Sequence, residues 1–268
     1  MLRTLDDPAT RELVLIRGRR PRVRTADGWS ELTFEIGAAA WEGLWESIAE
    51  RTGLPAGSSG HTTHQASDGL VVEAMTPPLA ADPVLHLRRR PPQTTLEGLI
   101  DEGLLEGDAA AVRDALDNRR GILICGDRGT GRTTILEALA AATPGGERVA
   151  TIESLPQLRV DEALRLRLDP ANPSPALSAA RAAMAEWLVL DDAPPAAVGA
   201  AIIEAEANRA AVIATARTAD ADAWLDQVAR SIAHEVGDPE AAVRAALPVV
   251  IRVSTGPSGE PTARVERS

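Results

Sequence analysis

The sequence contains no lysine and no tyrosine, one phenylalanine and one cysteine. Without lysine, no lysine-dependent mechanism can operate, and with Cys125 alone no internal disulfide can form, which fits a reducing compartment. No apolar run approaches the roughly 20 residues of a membrane-spanning helix, and the acidic start of the chain lacks the apolar stretch of a secretory signal. These absences predict a cytoplasmic protein with no membrane span, at most peripheral to the inner membrane through a partner.

The charge balance is acidic. All 28 basic residues are arginine, against 39 Asp and Glu residues, and the net charge is -11. This balance argues against nucleic acid as the main partner, because a phosphate backbone is bound chiefly by positive charge. The length of 268 residues suits one large or two ordinary domains, and 44% hydrophobic with 25% charged residues is typical of a globular chain.

Residues 1–92 have the pattern of a small α+β domain. Short apolar runs predict strands at 13–16, 32–36, 70–75 and 84–87, with an Asp27-Gly28 turn before the second. A helix is predicted between them, because four apolar residues fall at i, i+3, i+4 and i+7: Trp41, Leu44, Trp45 and Ile48. Residues 55–60 have loop composition, His61 and His64 fall in a polar loop, and residues 88–92 predict a stiff basic linker.

Residues 93–268 change to short apolar runs alternating with helical segments. Strands are predicted at 121–125, 149–152, 187–190 and 212–214, and helices at 95–104, 108–118 and 133–142. A terminal hairpin is predicted from 249–253 and 263–265. Alternation of this kind is typical of an α/β domain, with a mainly parallel sheet and helices on both faces.

A glycine-rich loop follows the strand at 121–125 and leads directly into a helix. Its residues match the phosphate-binding frame G-x-x-x-x-G-K-S/T except at one position: Gly126, Asp127, Arg128, Gly129, Thr130, Gly131, Arg132, Thr133 and Thr134. Glycines let the backbone wrap a phosphate with positive φ angles, and the helix start adds N–H donors. Thr133 would bind Mg²⁺ through its hydroxyl. The alternative is a glycine-rich turn that binds no ligand.

Arg132 occupies the lysine place of this frame. It keeps the positive charge but replaces a compact ammonium with a wider planar fork, which needs a different pocket. The loop is therefore predicted to descend from a phosphate loop, and hydrolysis of ATP does not follow from it.

Other stretches of the chain match one family. Residues 147–158 read E-R-V-A-T-I-E-S-L-P-Q-L, residues 68–79 read D-G-L-V-V-E-A-M-T-P-P-L, and residues 84–89 read V-L-H-L-R-R. With the loop segment 121–139, they resemble the secretion and pilus-assembly ATPases of type II and type IV systems, specifically the Tad/Flp pilus branch. That resemblance implies a RecA-like P-loop domain preceded by a smaller α+β domain.

The same resemblance implies roles for four residues outside the loop. Glu153 keeps the family identity at a position that organises metal and water. Asp192 takes the place of the water-directing glutamate, one methylene shorter, and Arg217 takes the place of a histidine. Arg88 matches an arginine that family members send to the nucleotide, often across a subunit boundary. For Asp192 a solvated strand-end carboxylate is an equal alternative, and for Arg217 a solvated arginine is the simpler one.

Arg132, Asp192 and Arg217 replace the lysine, glutamate and histidine of the family motifs. Together these three replacements predict that ATP hydrolysis is lost or severely weakened. The leading hypothesis is a structural or regulatory pseudo-ATPase of a Tad or type IV pilus, or of a type II or type IV secretion machine. The alternative is a slow but active motor of the same machine. The implied cofactors are ATP and Mg²⁺ if the site is competent, and otherwise none. The implied partners are an inner-membrane platform protein or an active paralogous ATPase ring, in a homo- or hetero-oligomer.

Overall fold

The computed structural model describes residues 7, 9–25, 27–54, 60–65, 69–90, 93–155, 157–256 and 261–268 of the chain. The chain divides into two compact units, Met1–Pro92 and Gln93–Ser268. Most of the predicted loop at 55–60, the prolines of the predicted basic linker and the turn of the terminal hairpin lie outside the described residues. Within the described residues, no helix is both long and apolar enough to cross a bilayer.

The described residues of the N-terminal unit form a six-stranded antiparallel sheet in the order β3-β2-β1-β6-β5-β4 and one helix. The strands are β1 Glu12–Ile16, β2 Arg22–Thr25, β3 Gly28–Glu31, β4 His61–Gln65, β5 Leu70–Met75 and β6 Val84–Arg89, and the helix is α1 Ala38–Thr52. Alternate residues of β1 and β6 point toward α1, and the predicted helical stripe supplies the buried side chains Trp41, Leu44 and Ile48. The core of this unit therefore lies between the sheet and α1.

Three sequence predictions for this unit are wrong. Residues 32–36 are not a strand; they run beside the β1–β2 turn, where Leu32 N–H donates to the Pro21 carbonyl and Ile36 N–H to the Arg19 carbonyl. Arg88 and Arg89 belong to β6 rather than to a linker, because pairing with β1 and β5 continues through them. His61 and His64 lie on β4, a strand whose polar sequence gives no apolar signal.

The C-terminal unit contains an eight-stranded sheet in the order β10-β9-β11-β12-β8-β13-β14-β7. Its strands are β7 Leu105–Gly107, β8 Ile122–Gly126, β9 Val149–Glu153, β10 Leu164–Arg167, β11 Trp187–Asp191, β12 Ala211–Ala216, β13 Val249–Thr255 and β14 Pro261–Arg267. The first six in this order run parallel, and β13 and β14 form the predicted antiparallel hairpin. The short strands β7 and β10 have no counterpart among the sequence predictions.

Helices cover both faces of this sheet. They are α2 Leu96–Asp101, α3 Ala109–Asp117, α4 Arg132–Ala141, α5 Ser174–Ala182, α6 Pro195–Asn208, α7 Ala221–Ser231 and α8 Pro239–Ala246. The first three share one apolar core with the sheet, and the other four share a second core on the opposite face. The helix predicted at 95–104 ends at Asp101, because Gly103 turns the chain at φ 67°. The predicted α/β fold with a smaller α+β unit before it is confirmed.

Candidate nucleotide site

Four neighbouring parallel strands end at one edge of the C-terminal sheet. β8 ends at Gly126, β9 at Glu153, β11 at Asp191 and β12 at Ala216. In parallel α/β sheets, ligands bind in the crevice beyond the carboxyl ends of the strands. The glycine-rich loop starts from this edge and leads into α4, so the residues predicted from separate motifs meet here.

The loop already has the backbone shape of a phosphate cradle. Gly129 and Gly131 have φ angles of 82° and 100°, and Gly131 is the N-cap of α4. A Cβ on Gly126 would lie 2.3 Å from the Val253 carbonyl oxygen, so only glycine fits against β13. The Thr130 hydroxyl donates to the Asp127 carbonyl at 2.9 Å and closes the turn. Asp127, Arg128 and Gly129 are exposed at its tip.

Three polar side chains meet behind the loop. The Thr133 hydroxyl donates to Asp191 at 3.2 Å, and the hydroxyl of Thr215, at the end of β12, donates to the other Asp191 oxygen at 2.7 Å. Burial raises the pKa of Asp191 and the neighbouring Asp192 charge adds to this, whereas the two hydroxyl bonds oppose it. Asp191 is therefore held beside the hydroxyl predicted to bind Mg²⁺.

Arg132 pairs with Asp192. Its guanidinium lies 3.3 Å from the Asp192 carboxylate, and its side chain is only 10% exposed. Asp192 has a left-handed backbone with φ 49°, fixed by a hydrogen bond from its N–H to the Thr215 hydroxyl at 2.7 Å. Arg132 occupies the lysine position of the family motif and Asp192 the glutamate position, and the charges of these two residues offset each other.

Glu153 is buried next to this cluster, 3% exposed, and sits directly beside Asp191 in the β9–β11 register. One carboxylate oxygen accepts the backbone N–H groups of Gln157 and Leu158 at 2.8 and 2.9 Å. Burial raises the pKa of Glu153 to about 7; the two backbone hydrogen bonds lower it, and the Asp191 charge raises it further. The group can therefore exchange a proton near neutral pH.

This raised pKa predicts a pH-dependent stability. Between pH 4.5, the ordinary pKa, and about 7, the folded chain binds a proton at Glu153 that the unfolded chain has lost, so the free energy of unfolding falls as pH rises. Glu153→Gln cannot titrate and keeps an oxygen for the two N–H groups. In urea unfolding at pH 5 and pH 8, we expect the variant to gain up to about 3 kcal/mol relative to the natural chain across this interval. Identical pH dependence of the two proteins would contradict the assignment.

A buried ion pair fixes the segment that follows Glu153. Glu137, 1% exposed on α4, accepts the Arg159 backbone N–H at 2.7 Å and the Arg159 guanidinium at 3.0 Å. We call this pair the 137–159 clip. It ties the loop helix to the residues that hydrogen-bond Glu153, so two sides of the site share one support.

Three predicted residues remain to be described: Thr134, Arg217 and Arg88. Thr134 is half-buried at the start of α4, and Arg217 is exposed immediately after β12. In the N-terminal unit, Arg88 pairs with Glu73 on the neighbouring strand β5 at 3.0 Å. The roles implied for Arg88 and Arg217 stay predictions.

Sequence reasoning missed four residues of the site: Asp191, Thr215, Glu137 and Arg159. Asp191 could have been found from the sequence, because Asp191 and Asp192 both follow the apolar run W-L-V-L and either side chain could face the loop. Thr215 is the penultimate residue of the neighbouring strand β12, and the ends of these parallel strands meet at one edge of the sheet. The 137–159 clip joins residues 22 positions apart and has no local signal.

The donor set fits Mg²⁺ with a nucleotide phosphate. The Thr133 hydroxyl and the Asp191 carboxylate are hard oxygen donors, which Mg²⁺ prefers, and they already lie within hydrogen-bond distance of each other. These two residues would hold the ion, which when bound would neutralise phosphate charge. The backbone N–H groups of residues 127–131 and the start of α4 would hold the phosphates.

Comparison with known proteins finds relatives in sequence and in fold. No family model matches the chain. A Mycobacterium tuberculosis protein named as a conjugal transfer protein, Rv3659c, is 30% identical over 154 residues, which cover 52% of this chain and 40% of that protein. The match therefore spans less than half of the relative's length.

Two solved structures have the same fold. The pilus retraction motor PilT with bound ADP has a TM-score of 0.68 at 16% identity, covering 99% of this chain and 81% of PilT. The Legionella pneumophila ATPase DotB has a TM-score of 0.66 at 13% identity, covering 98% and 78%.

The fold and the loop define a RecA-like P-loop protein with an N-terminal α+β unit. The resemblance to the type II/IV secretion ATPase family, predicted from the motifs, is confirmed. The Tad/Flp branch stays a prediction.

Proposed function

We propose that this chain is a nucleotide-binding component of a secretion, conjugation or pilus machine, with ATP hydrolysis lost or severely weakened. The observation that carries the proposal is the pair between Arg132 and Asp192. Hydrolysis needs a cation at the terminal phosphates and a free carboxylate that orients the attacking water. In the pair, the Asp192 carboxylate accepts from one nitrogen of the Arg132 guanidinium, so a phosphate competes with Asp192 for that cation.

Geometry adds to this competition. The guanidinium is planar and wider than an ammonium, so it meets the phosphates from a different position. Asp192 is one methylene shorter than the glutamate of the family motif, and positioning supplies most of the rate in phosphoryl transfer. Both departures weaken hydrolysis more than binding, because the loop backbone, Thr133 and Asp191 do not depend on them.

The same site supports a second candidate, a slow motor. Asp191 stands beside Thr133, and Glu153 is a buried acid whose pKa of about 7 suits proton transfer at neutral pH. If these residues retain turnover, the chain would hydrolyse ATP slowly within the same machine.

The assembly around the chain belongs to this proposal. We place the protein in the cytoplasm, peripheral to the inner membrane through a platform protein or an active paralogous ring, and in the Tad/Flp branch. A relative named for conjugal transfer and the fold of a pilus motor support a machine of this kind. A site that binds nucleotide weakly would lose the ligand's contribution to a subunit interface. We therefore expect a monomer or weak oligomer when the chain is alone, measured by light scattering.

A nucleotide titration tests the proposed function. With a fluorescent ATP analogue, we expect Arg132→Lys to bind about ten-fold tighter than the natural chain, because the compact ammonium leaves Asp192 more easily, while phosphate release stays near background. Thr133→Ala should lose the dependence on Mg²⁺. Arg181→Lys, an exposed exchange on α5, is the matched control.

Two results would count against it. Substantial ATPase activity of the natural chain would favour the slow motor over the pseudo-ATPase. Absence of binding by both the natural chain and Arg132→Lys would show that the loop no longer holds phosphate.

A further inference from the structure

The connection between β1 and β2 is strongly basic in an acidic protein. Residues 17–24 read R-G-R-R-P-R-V-R, five arginines with no acidic residue, whereas the chain as a whole carries a net charge of -11. We call this segment the basic turn. Its charge is thus opposite in sign to that of the rest of the molecule.

Backbone hydrogen bonds hold the basic turn in a fixed shape. Arg19 N–H donates to the Ile16 carbonyl, and Gly18 N–H donates to the Ile36 carbonyl at 2.9 Å. Within the basic turn, Pro21 and Val23 are buried, whereas its five arginines are exposed to solvent. The arginines therefore form a preformed surface, and a ligand need not order the backbone.

Most of this charge is available to a ligand. Arg17 and Arg19 reach Glu42 and Asp82 only at 3.9 and 3.5 Å, as exposed pairs of the kind that contribute little. Within the described residues, Arg20 and Arg22 form no ion pair with a carboxylate. Only Arg24 has a close partner, Glu12 at 2.6 Å.

Two exposed aromatic side chains border the basic turn. Trp29 is 44% exposed and Phe34 is 43% exposed, in a chain with five Trp and one Phe. Trp29 stands opposite Arg24 in the β2–β3 register, and the Arg22 guanidinium lies 5.2 Å from its ring centre. Phe34 lies in the segment 32–36 that is hydrogen-bonded to Arg19 and Pro21. Arginines and aromatic rings therefore share one surface.

We propose that the basic turn, with Trp29 and Phe34, binds directly to the surface of a bilayer that contains anionic lipids. Clustered arginines attract anionic headgroups, and exposed aromatic rings partition into the interface beneath those headgroups. The contact needs no nucleotide and goes beyond the proposed function.

A nucleic acid fits the same surface less well. Bases bound without sequence preference stack on open aromatic faces, and the Arg22 guanidinium lies over one face of the Trp29 ring. The net charge of -11 also repels a polyanion longer than the basic turn. A bilayer contacts only the surface that faces it.

Vesicle binding tests the proposal. We expect the natural chain to co-sediment with phosphatidylcholine vesicles containing about one-third phosphatidylglycerol and not with pure phosphatidylcholine, and the binding should weaken as salt rises. Changing Arg19, Arg20 and Arg22 together to Gln should reduce affinity on the order of 100-fold. The matched control changes three exposed arginines of the other unit, Arg209, Arg230 and Arg264, to Gln and should bind like the natural chain.

Tryptophan fluorescence gives a second readout. Brominated lipids should quench the exposed Trp29, and the double change Trp29→Ser with Phe34→Ser should remove the quenching and weaken binding at least several-fold. Equal loss in both triple-arginine variants, absence of binding to anionic vesicles, or unchanged binding of the aromatic variant would overturn the proposal. Binding of the natural chain to duplex DNA in place of vesicles would assign the surface to nucleic acid instead.

Discussion

Asp191→Asn is expected to weaken Mg²⁺-dependent nucleotide binding on the order of 100-fold, whereas Asp192→Asn is expected to strengthen it several-fold. The two aspartates are adjacent, yet Asp191 contacts Thr133 and Asp192 contacts Arg132. Removing the first charge takes away a candidate metal ligand. Removing the second releases the guanidinium for phosphate.

Asp191→Asn and Asp192→Asn serve as controls for each other, because both remove one carboxylate charge at adjacent positions. Asparagine is nearly isosteric with aspartate, and it tolerates the left-handed backbone of position 192 well. Titration of both variants with a fluorescent ATP analogue, with and without Mg²⁺, separates the two effects. Weaker binding by Asp192→Asn, or no change in Asp191→Asn, would show that the site uses the opposite carboxylate.

Arg159→Met is expected to lower the free energy of unfolding by about 3–5 kcal/mol, because it removes a guanidinium that pairs with the buried carboxylate of Glu137. Replacing both members of the 137–159 clip, Glu137→Leu with Arg159→Met, should recover only part of that loss, because the backbone N–H of residue 159 then loses its Glu137 acceptor. Urea unfolding measures both. Since the clip also supports the segment that hydrogen-bonds Glu153, the single variant should bind nucleotide more weakly as well.

The exposed pair of Arg113 and Glu97 provides the matched control. It has the shorter contact, 2.6 Å, but both side chains face solvent. Arg113→Met should therefore leave the unfolding midpoint nearly unchanged. Similar losses in Arg113→Met and Arg159→Met would contradict the argument that burial, and not the contact itself, makes the clip important.

The strand, loop and helix from Ile122 to Ala141 could be predicted from the sequence, because each of these elements has a local pattern. An apolar run of five residues, a glycine-rich turn and a helical segment follow one another without a gap. The family resemblance added the positions of Glu153 and Asp192, and the comparisons with known proteins support that resemblance. Five strands were missed: β2, β3, β4, β7 and β10. Four of them have no run of apolar residues, whereas β10 alternates leucine with arginine, a strand pattern that was overlooked.

The sequence by itself determined the alternation of strands and helices in residues 93–268, the phosphate-loop frame and the excess of acidic charge, all of which depend on composition or on neighbours along the chain. Only the tertiary structure decided which of two adjacent aspartates faces Thr133, and that Arg132 is paired with the other. It also brought Glu137 to Arg159 and set Phe34 beside the basic turn. These contacts join residues far apart in sequence, and their partners are chosen by strand register and by how helices pack on the sheet, which no local pattern records.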